Sequence, residues 1–280
     1  MVAQRIKNKI SGKLRTMNVQ KFAAEISGVD TQDLASRGYE YFLSQQLPFY
    51  LPWRKNDEFK KMLDGAYKTG FPAREEDAHM INDAFIKKEK EQDIARRYNA
   101  YSLAKSALSV EGDFAEFGVH RGITTHILAK LCDTQYDKKR AIWAIDSFEG
   151  VSEPNDEDIS IFGYKRWRKG SLKYDNYDFL NNELTKNKTT VHLIKGWIPE
   201  ILPECTAEKI AYAYIDVDLY EPTKASLEFA YPKMSPGGIM VFDDYGNYDC
   251  PGARKAVDEF FEGKENVISL IDGFSFVIKR

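Results

Sequence analysis

The chain has 280 residues, 43% hydrophobic and 30% charged, enough apolar content for a large core and too much for a disordered chain. A net charge of −3 argues against a nucleic-acid partner, and the lack of any apolar run of about 18 residues argues against a membrane span. Three widely spaced cysteines, Cys132, Cys205 and Cys250, form neither a zinc motif nor a disulfide framework, which points to a reducing, cytoplasmic setting.

Along the chain, residues 1–21 carry six Lys or Arg and no acidic residue. Ile6, Ile10, Leu14 and Met17 recur at helical spacing, so a basic amphipathic helix is predicted there. Such a stripe lies on a membrane or a partner, or packs within its own fold or oligomer, and packing is the commoner use. The rest of residues 1–95 reads as helices and loops, broken by Pro48, Pro52 and Pro72, with an apolar knot LPFYLPW at 47–53.

From residue 96 the texture changes. A helix in ARRYNAYSLAKSAL precedes apolar runs that alternate with helical ones: FAEFGV (114–119), AIWAID (141–146), TVHLIKG (190–196), IAYAYID (210–216) and GGIMVFDD (237–244). Continuous apolar strands separated by helices predict an α/β fold, a parallel sheet covered on both faces. At the end, NVISLI and FSFVIK flank Asp272-Gly273, a two-residue hairpin signal, so the last strand should run antiparallel. That combination is the arrangement of a class I S-adenosylmethionine (SAM) methyltransferase, a Rossmann-like sheet with a C-terminal antiparallel hairpin.

The first strand ends in EFGVHRGITT. Gly118 and Gly122 are spaced Gly-x-x-x-Gly, which does not meet the dinucleotide fingerprint. With no pyrophosphate to cradle, the helix N-terminus suits a carboxylate that Thr124 could bond, while Glu116 could hold an ammonium group, as in the methionine half of SAM. The second strand ends at Asp146 and Ser147, where a carboxylate can accept ribose hydroxyls of SAM or NAD, or simply cap a helix. Trp197, after the third strand, could stack on adenine or belong to the core.

Two apolar strands then run into paired acids, Asp216 with Asp218 and Asp243 with Asp244. Ligands sit at the carboxyl ends of parallel strands, and successive strands usually neighbour one another, so these four carboxylates should converge. Like charges held that close demand protonation or a cation, and an all-oxygen donor set favours Mg²⁺ over zinc. Helix capping is the competing role for any single Asp.

EGDFAEFGVHRG, IDSFEG, VHLIKGW, YIDVDLYEPT, YPKMSPGGIMVFDDYG and PGARKAVDEFF, in this order, resemble the macrocin O-methyltransferase family of SAM- and Mg²⁺-dependent sugar O-methyltransferases. The resemblance implies that Asp216, Asp243 and Asp244 ligate the metal and that Asp218 is the general base. It places Glu116, Gly118, Gly122, Asp146, Ser147 and Trp197 around SAM. The family's usual Asp-Gly-Asp reads Asp-Val-Asp here, with Val217 adding bulk. It further implies a methyltransferase domain at 96–280 and a helical lid or oligomerisation region at 1–95. The expected partners are a small-molecule or glycan acceptor and a second copy in a homodimer. The stretch 151–175, with Phe162, Tyr164 and Trp167, is expected to form part of the acceptor wall. Two other readings compete: an NAD-dependent oxidoreductase, disfavoured by the missing glycine fingerprint, and a non-catalytic SAM-binding relative, disfavoured by the retention of all four aspartates.

Overall fold

The computed structural model describes residues 56–70, 91–135, 140–160, 162–270 and 273–280, all within a unit spanning Trp53–Arg280. The N-terminal basic stripe, the 47–53 segment and Asp272 lie outside the described residues.

Among the described residues the strands are β1 (Asp113–Phe117), β2 (Ala141–Asp146), β3 (Thr190–Lys195), β4 (Ile210–Ile215), β5 (Met234–Phe242), β6 (Ile268–Ser269) and β7 (Ser275–Ile278). They form one sheet in the order β3-β2-β1-β4-β5-β7-β6. Strands β1 to β5 are parallel, and β7 pairs antiparallel with both β5 and β6, as the hairpin signal led us to expect.

The period of two in each strand sorts side chains onto two faces. Phe114 of β1, Tyr212 and Tyr214 of β4, and Ile239 and Val241 of β5 join one core. Ala115, Phe117, Ala213, Ile215, Met240 and Phe242 join the other. Helices α1 (Asp57–Gly70), α2 (Glu91–Ser106) and α3 (Ile123–Gln135) supply the first core. Two later helices, α5 (Tyr220–Ala230) and α6 (Pro251–Phe261), cover the second face, while α4 (Tyr177–Leu184) packs Leu180 and Leu184 with Val119, Phe148 and Leu193.

Helix α1 starts where the Asn56 side chain accepts the Phe59 N–H at 2.9 Å, and Asp57 and Glu58 favour its positive N-terminal dipole. Phe59, Met62 and Leu63, at i, i+3 and i+4, are buried against the first core. Burial of each is worth roughly 1.5–3 kcal/mol. Helix α2 is tied to α1 through Glu58, which accepts from the Tyr101 hydroxyl (2.7 Å) and the Lys105 ammonium (2.8 Å). It is tied to the sheet by the buried Tyr212 hydroxyl, which donates to the Ala100 carbonyl at 3.1 Å. None of the described helices is long and apolar enough to cross a membrane.

The Tyr212–Ala100 bond fixes α2 over β4, so Tyr212→Phe is expected to lower the unfolding free energy by about 1 kcal/mol in urea denaturation. An unchanged midpoint would mean that packing alone locates the helix.

Candidate active site

A cavity of about 650 Å³ opens at the carboxyl ends of the parallel strands. Its lining follows the strand order: Trp197 after β3, Asp146 at the end of β2, Gly118 after β1, Asp216 and Asp218 after β4, and Asp243 and Asp244 after β5. A volume in this range accommodates a drug-sized or cofactor-sized ligand.

At the β1–α3 turn, Gly118 (φ +90°) has no alternative: a Cβ there would lie 1.8 Å from the Asp216 carbonyl oxygen. Gly122 (φ +80°) faces Leu180, whose Cδ2 would be 2.7 Å from an added Cβ. Both glycines thus answer to protein packing. Glu116 and Thr124 are buried, and with Gly122 they lie behind the cavity rather than on its lining. Glu116 accepts a hydrogen bond from the Thr125 hydroxyl on the sheet face shared with Tyr214. Burial pushes its carboxyl up to about 8, against the pull of Thr125.

Asp146 accepts from three backbone N–H groups, Val119 (2.7 Å), His120 (2.8 Å) and Phe148 (2.6 Å). A carboxylate offers about four acceptor positions, so it retains capacity for a ligand hydroxyl. Ser147 also lines the cavity, but its hydroxyl is engaged locally, donating to the Gly150 carbonyl (2.7 Å) and accepting from Glu149 N–H (3.0 Å). Trp197 and Asp146 thus bring a ring and a carboxylate to the lining of one cavity.

The four aspartates converge, but in two groups. Asp216, Asp243 and Asp244 each offer an oxygen within 4.8 Å of the others, and Asp218, Asp244 and Cys250 form a second such set. Alternation would have aimed Asp216 and Asp218 the same way. Instead Asp218 lies beyond the strand in a left-handed conformation (φ +61°), its N–H donating to Asp244 at 3.0 Å. Burial, then the charges of Asp243, Asp244 and Asp218, hold the Asp216 carboxyl well above the usual carboxylate range. Burial and Asp244 do the same to Asp218. Asp243 rises only to about 6, because Arg96 opposes its burial. Three oxygen donors that are costly to leave uncompensated are the donor set a hard divalent cation requires.

Three contributors were not found in the sequence. Arg96, on α2, places its guanidinium Nη2 2.7 Å from Asp243 Oδ2 and 3.9 Å from Asp244 Oδ1, and also donates to the Asp243 carbonyl. Burial opposes its charge, but Asp243 and Asp244 more than compensate, so it is held charged more firmly than usual. Tyr214 donates to Asp243 Oδ1 at 2.6 Å. Cys250 donates to Asp218 Oδ1 at 3.5 Å and accepts from Trp167 Nε1 (3.4 Å) and Asn247 Nδ2 (3.3 Å). Its thiol is pushed strongly upward by burial and then by Asp244 and Asp218, so it stays neutral. The signal available beforehand was the Arg96-Arg97 pair entering a chain segment that precedes four acids.

Of the 151–175 aromatics, Trp167 and Tyr174 line the cavity, whereas Phe162 and Tyr164 stack on each other at the exposed surface. Tyr164 donates to Asp249 at 3.0 Å and Arg166 pairs with it at 3.6 Å, joining this loop to the turn that carries Cys250.

A family model described as macrocin-O-methyltransferase (TylF) matches residues 96–278. The chain is 31% identical over 168 residues to demethyldecarbamoylnovobiocin O-methyltransferase of Streptomyces niveus, covering 54% of this chain and 59% of that protein. It is 29% identical over 177 residues to 8-demethyl-8-(2,3-dimethoxy-alpha-L-rhamnosyl)-tetracenomycin-C 4'-O-methyltransferase of Streptomyces olivaceus, covering 59% and 64%. It thus spans about six tenths of the length of these curated relatives. Among solved structures it is similar to a calicheamicin methyltransferase, with a TM-score of 0.60 and 25% identity over 80% of this chain and 93% of that one.

Glu116 generates a pH signature. Its folded carboxyl titrates near 8 rather than at the ordinary 4.5, so in that window the folded chain binds the proton more tightly than the unfolded chain. Its contribution is therefore least unfavourable below about pH 4.5 and worsens as pH rises towards 8. Glu116→Gln is expected to gain stability relative to wild type from pH 5 to 8, measured as the difference between two urea-unfolding series. A pH-independent difference would mean that Glu116 is already ionised in the fold.

Proposed function

We propose a reaction for a chain that belongs to the macrocin O-methyltransferase family and carries the class I methyltransferase fold. The proposed reaction is Mg²⁺-dependent transfer of a methyl group from SAM to a hydroxyl, most plausibly one on a sugar of a natural product or surface glycan. The observation that carries it is one cavity holding both an adenosine-compatible end and a carboxylate floor in which Asp218 stands apart from a three-carboxylate set. A relative named for methylating a rhamnosyl-bearing tetracenomycin supports the sugar.

In this reading Asp146 and Trp197 hold the nucleoside of SAM, and Glu116 supports its ammonium end from behind the lining. SAM supplies the methyl group, and Mg²⁺, held by Asp216, Asp243 and Asp244, supplies Lewis-acid charge that eases proton loss from a neighbouring hydroxyl. Asp218, which stands outside the three-carboxylate set, takes that proton. Tyr214 fixes one oxygen of Asp243 so that its orientation does not depend on the ligand. Trp167 walls the acceptor side, and the recessed floor excludes bulk water. We further propose a cytoplasmic homodimer, on the free cysteines and the N-terminal amphipathic stripe.

Asp218→Asn is expected to bind SAM within about threefold of wild type by calorimetry and to lose roughly 10²–10⁴-fold in turnover on a sugar acceptor, the range for removing a general base. Chelation is expected to abolish turnover in wild type, with Mg²⁺ restoring it. Full activity in Asp218→Asn removes it as the base, and chelator-insensitive turnover removes the metal.

A further inference from the structure

We infer that Arg96 is the carboxylate cluster's own counter-ion, drawing on the same two carboxylates as the divalent ion and weakening its hold. This inference rests on the metal reading above. Ionised, as ligation of a cation requires, Asp216, Asp243 and Asp244 would together carry three negative charges. A divalent cation alone leaves one of them uncompensated, and the Arg96 guanidinium supplies the missing unit.

Arg96 is not an incidental surface pair. Its side chain is 20% exposed, and Asp243 and Asp244 are 8% and 7% exposed. Helix geometry puts Arg96 and Ala100 on one face, four residues apart. On β4, Tyr212 and Tyr214 point to that face: the Tyr212 hydroxyl grips the Ala100 carbonyl, and the Tyr214 hydroxyl takes Asp243 Oδ1. Arg96 takes the remaining oxygen, Oδ2, and reaches the Asp243 carbonyl as well. Through Nη2 alone the guanidinium holds the end of β5 from the helix side, leaving Asp216 without a guanidinium contact of that kind among the described residues.

Two positive charges drawn to the same carboxylates repel each other, so Arg96 should keep the metal exchangeable and let the cluster fold before the ion arrives. A purely structural ion pair between α2 and β5 would stabilise the fold without lowering metal affinity.

The test uses Mn²⁺ as the probe on the full chain, followed by electron paramagnetic resonance of the free ion, with thermal unfolding in chelator and in saturating Mn²⁺. Arg96→Gln is expected to bind Mn²⁺ about tenfold tighter than wild type. It is also expected to melt lower than wild type in chelator, with the gap narrowing in Mn²⁺. Equal or weaker Mn²⁺ binding by a folded Arg96→Gln overturns the inference. Failure of wild type to bind Mn²⁺ overturns the metal reading itself, so the two failures are distinguishable. Should Arg96→Gln not fold, Arg96→Lys decides: affinity within about threefold of wild type supports a counter-ion, because the charge is kept. Loss of more than about tenfold assigns Arg96 to shaping the ligands and overturns the inference.

Discussion

Mutual repulsion of carboxylates at the ends of β4 and β5 is the constraint around which the rest of the site is arranged. Asp216, Asp218, Asp243 and Asp244 gather within a few ångströms at the floor of a cavity where water cannot screen them fully. An apolar sheet tolerates this only with compensating groups brought to the carboxylates. The protein provides it in layers: a guanidinium from α2, a phenol from within β4, a backbone N–H on Asp244 and a neutral thiol on Asp218. Each compensating group comes from a different element, so the sheet, the covering helix and the turn after β5 must all be folded before the floor is stable.

The fold was legible because its signals are local. Apolar runs such as AIWAID and IAYAYI are fully covered strands, and Asp146 falls at the last position of β2 as read. The antiparallel end followed from turn chemistry beside FSFVIK. The convergence of the acidic pairs was legible as well, because parallel neighbours must end together. The split between Asp218 and the other three was not, since it depends on a left-handed residue that alternation cannot anticipate.

The glycines carried a signal that packing also explains. Their spacing suggested backbone making room for a ligand, yet Gly118 makes room for the neighbouring strand and Gly122 for Leu180 of α4. Arg96 and Cys250 escaped sequence reading for the complementary reason. Their partners are separated from them by 147 and 32 residues, and no periodicity encodes contacts at that range. Helix α1 likewise buries Phe59, Met62 and Leu63 in the sheet's first core although its sequence lies upstream of the change in texture at residue 96.

The contact between Gly118 and the Asp216 carbonyl has a further meaning. The turn after β1 and the floor after β4 meet most closely through main chain, Gly118 against the Asp216 carbonyl. Side-chain spacers breathe, change rotamer and drift over evolutionary time; peptide planes in a paired sheet do neither. Any relative displacement of the two loops would have to break ladder bonds between β1 and β4. The separation between whatever occupies one end of the cavity and whatever occupies the other is thus gauged by the hydrogen-bond register of the sheet. The 151–175 loop can change its side chains without recalibrating that gauge.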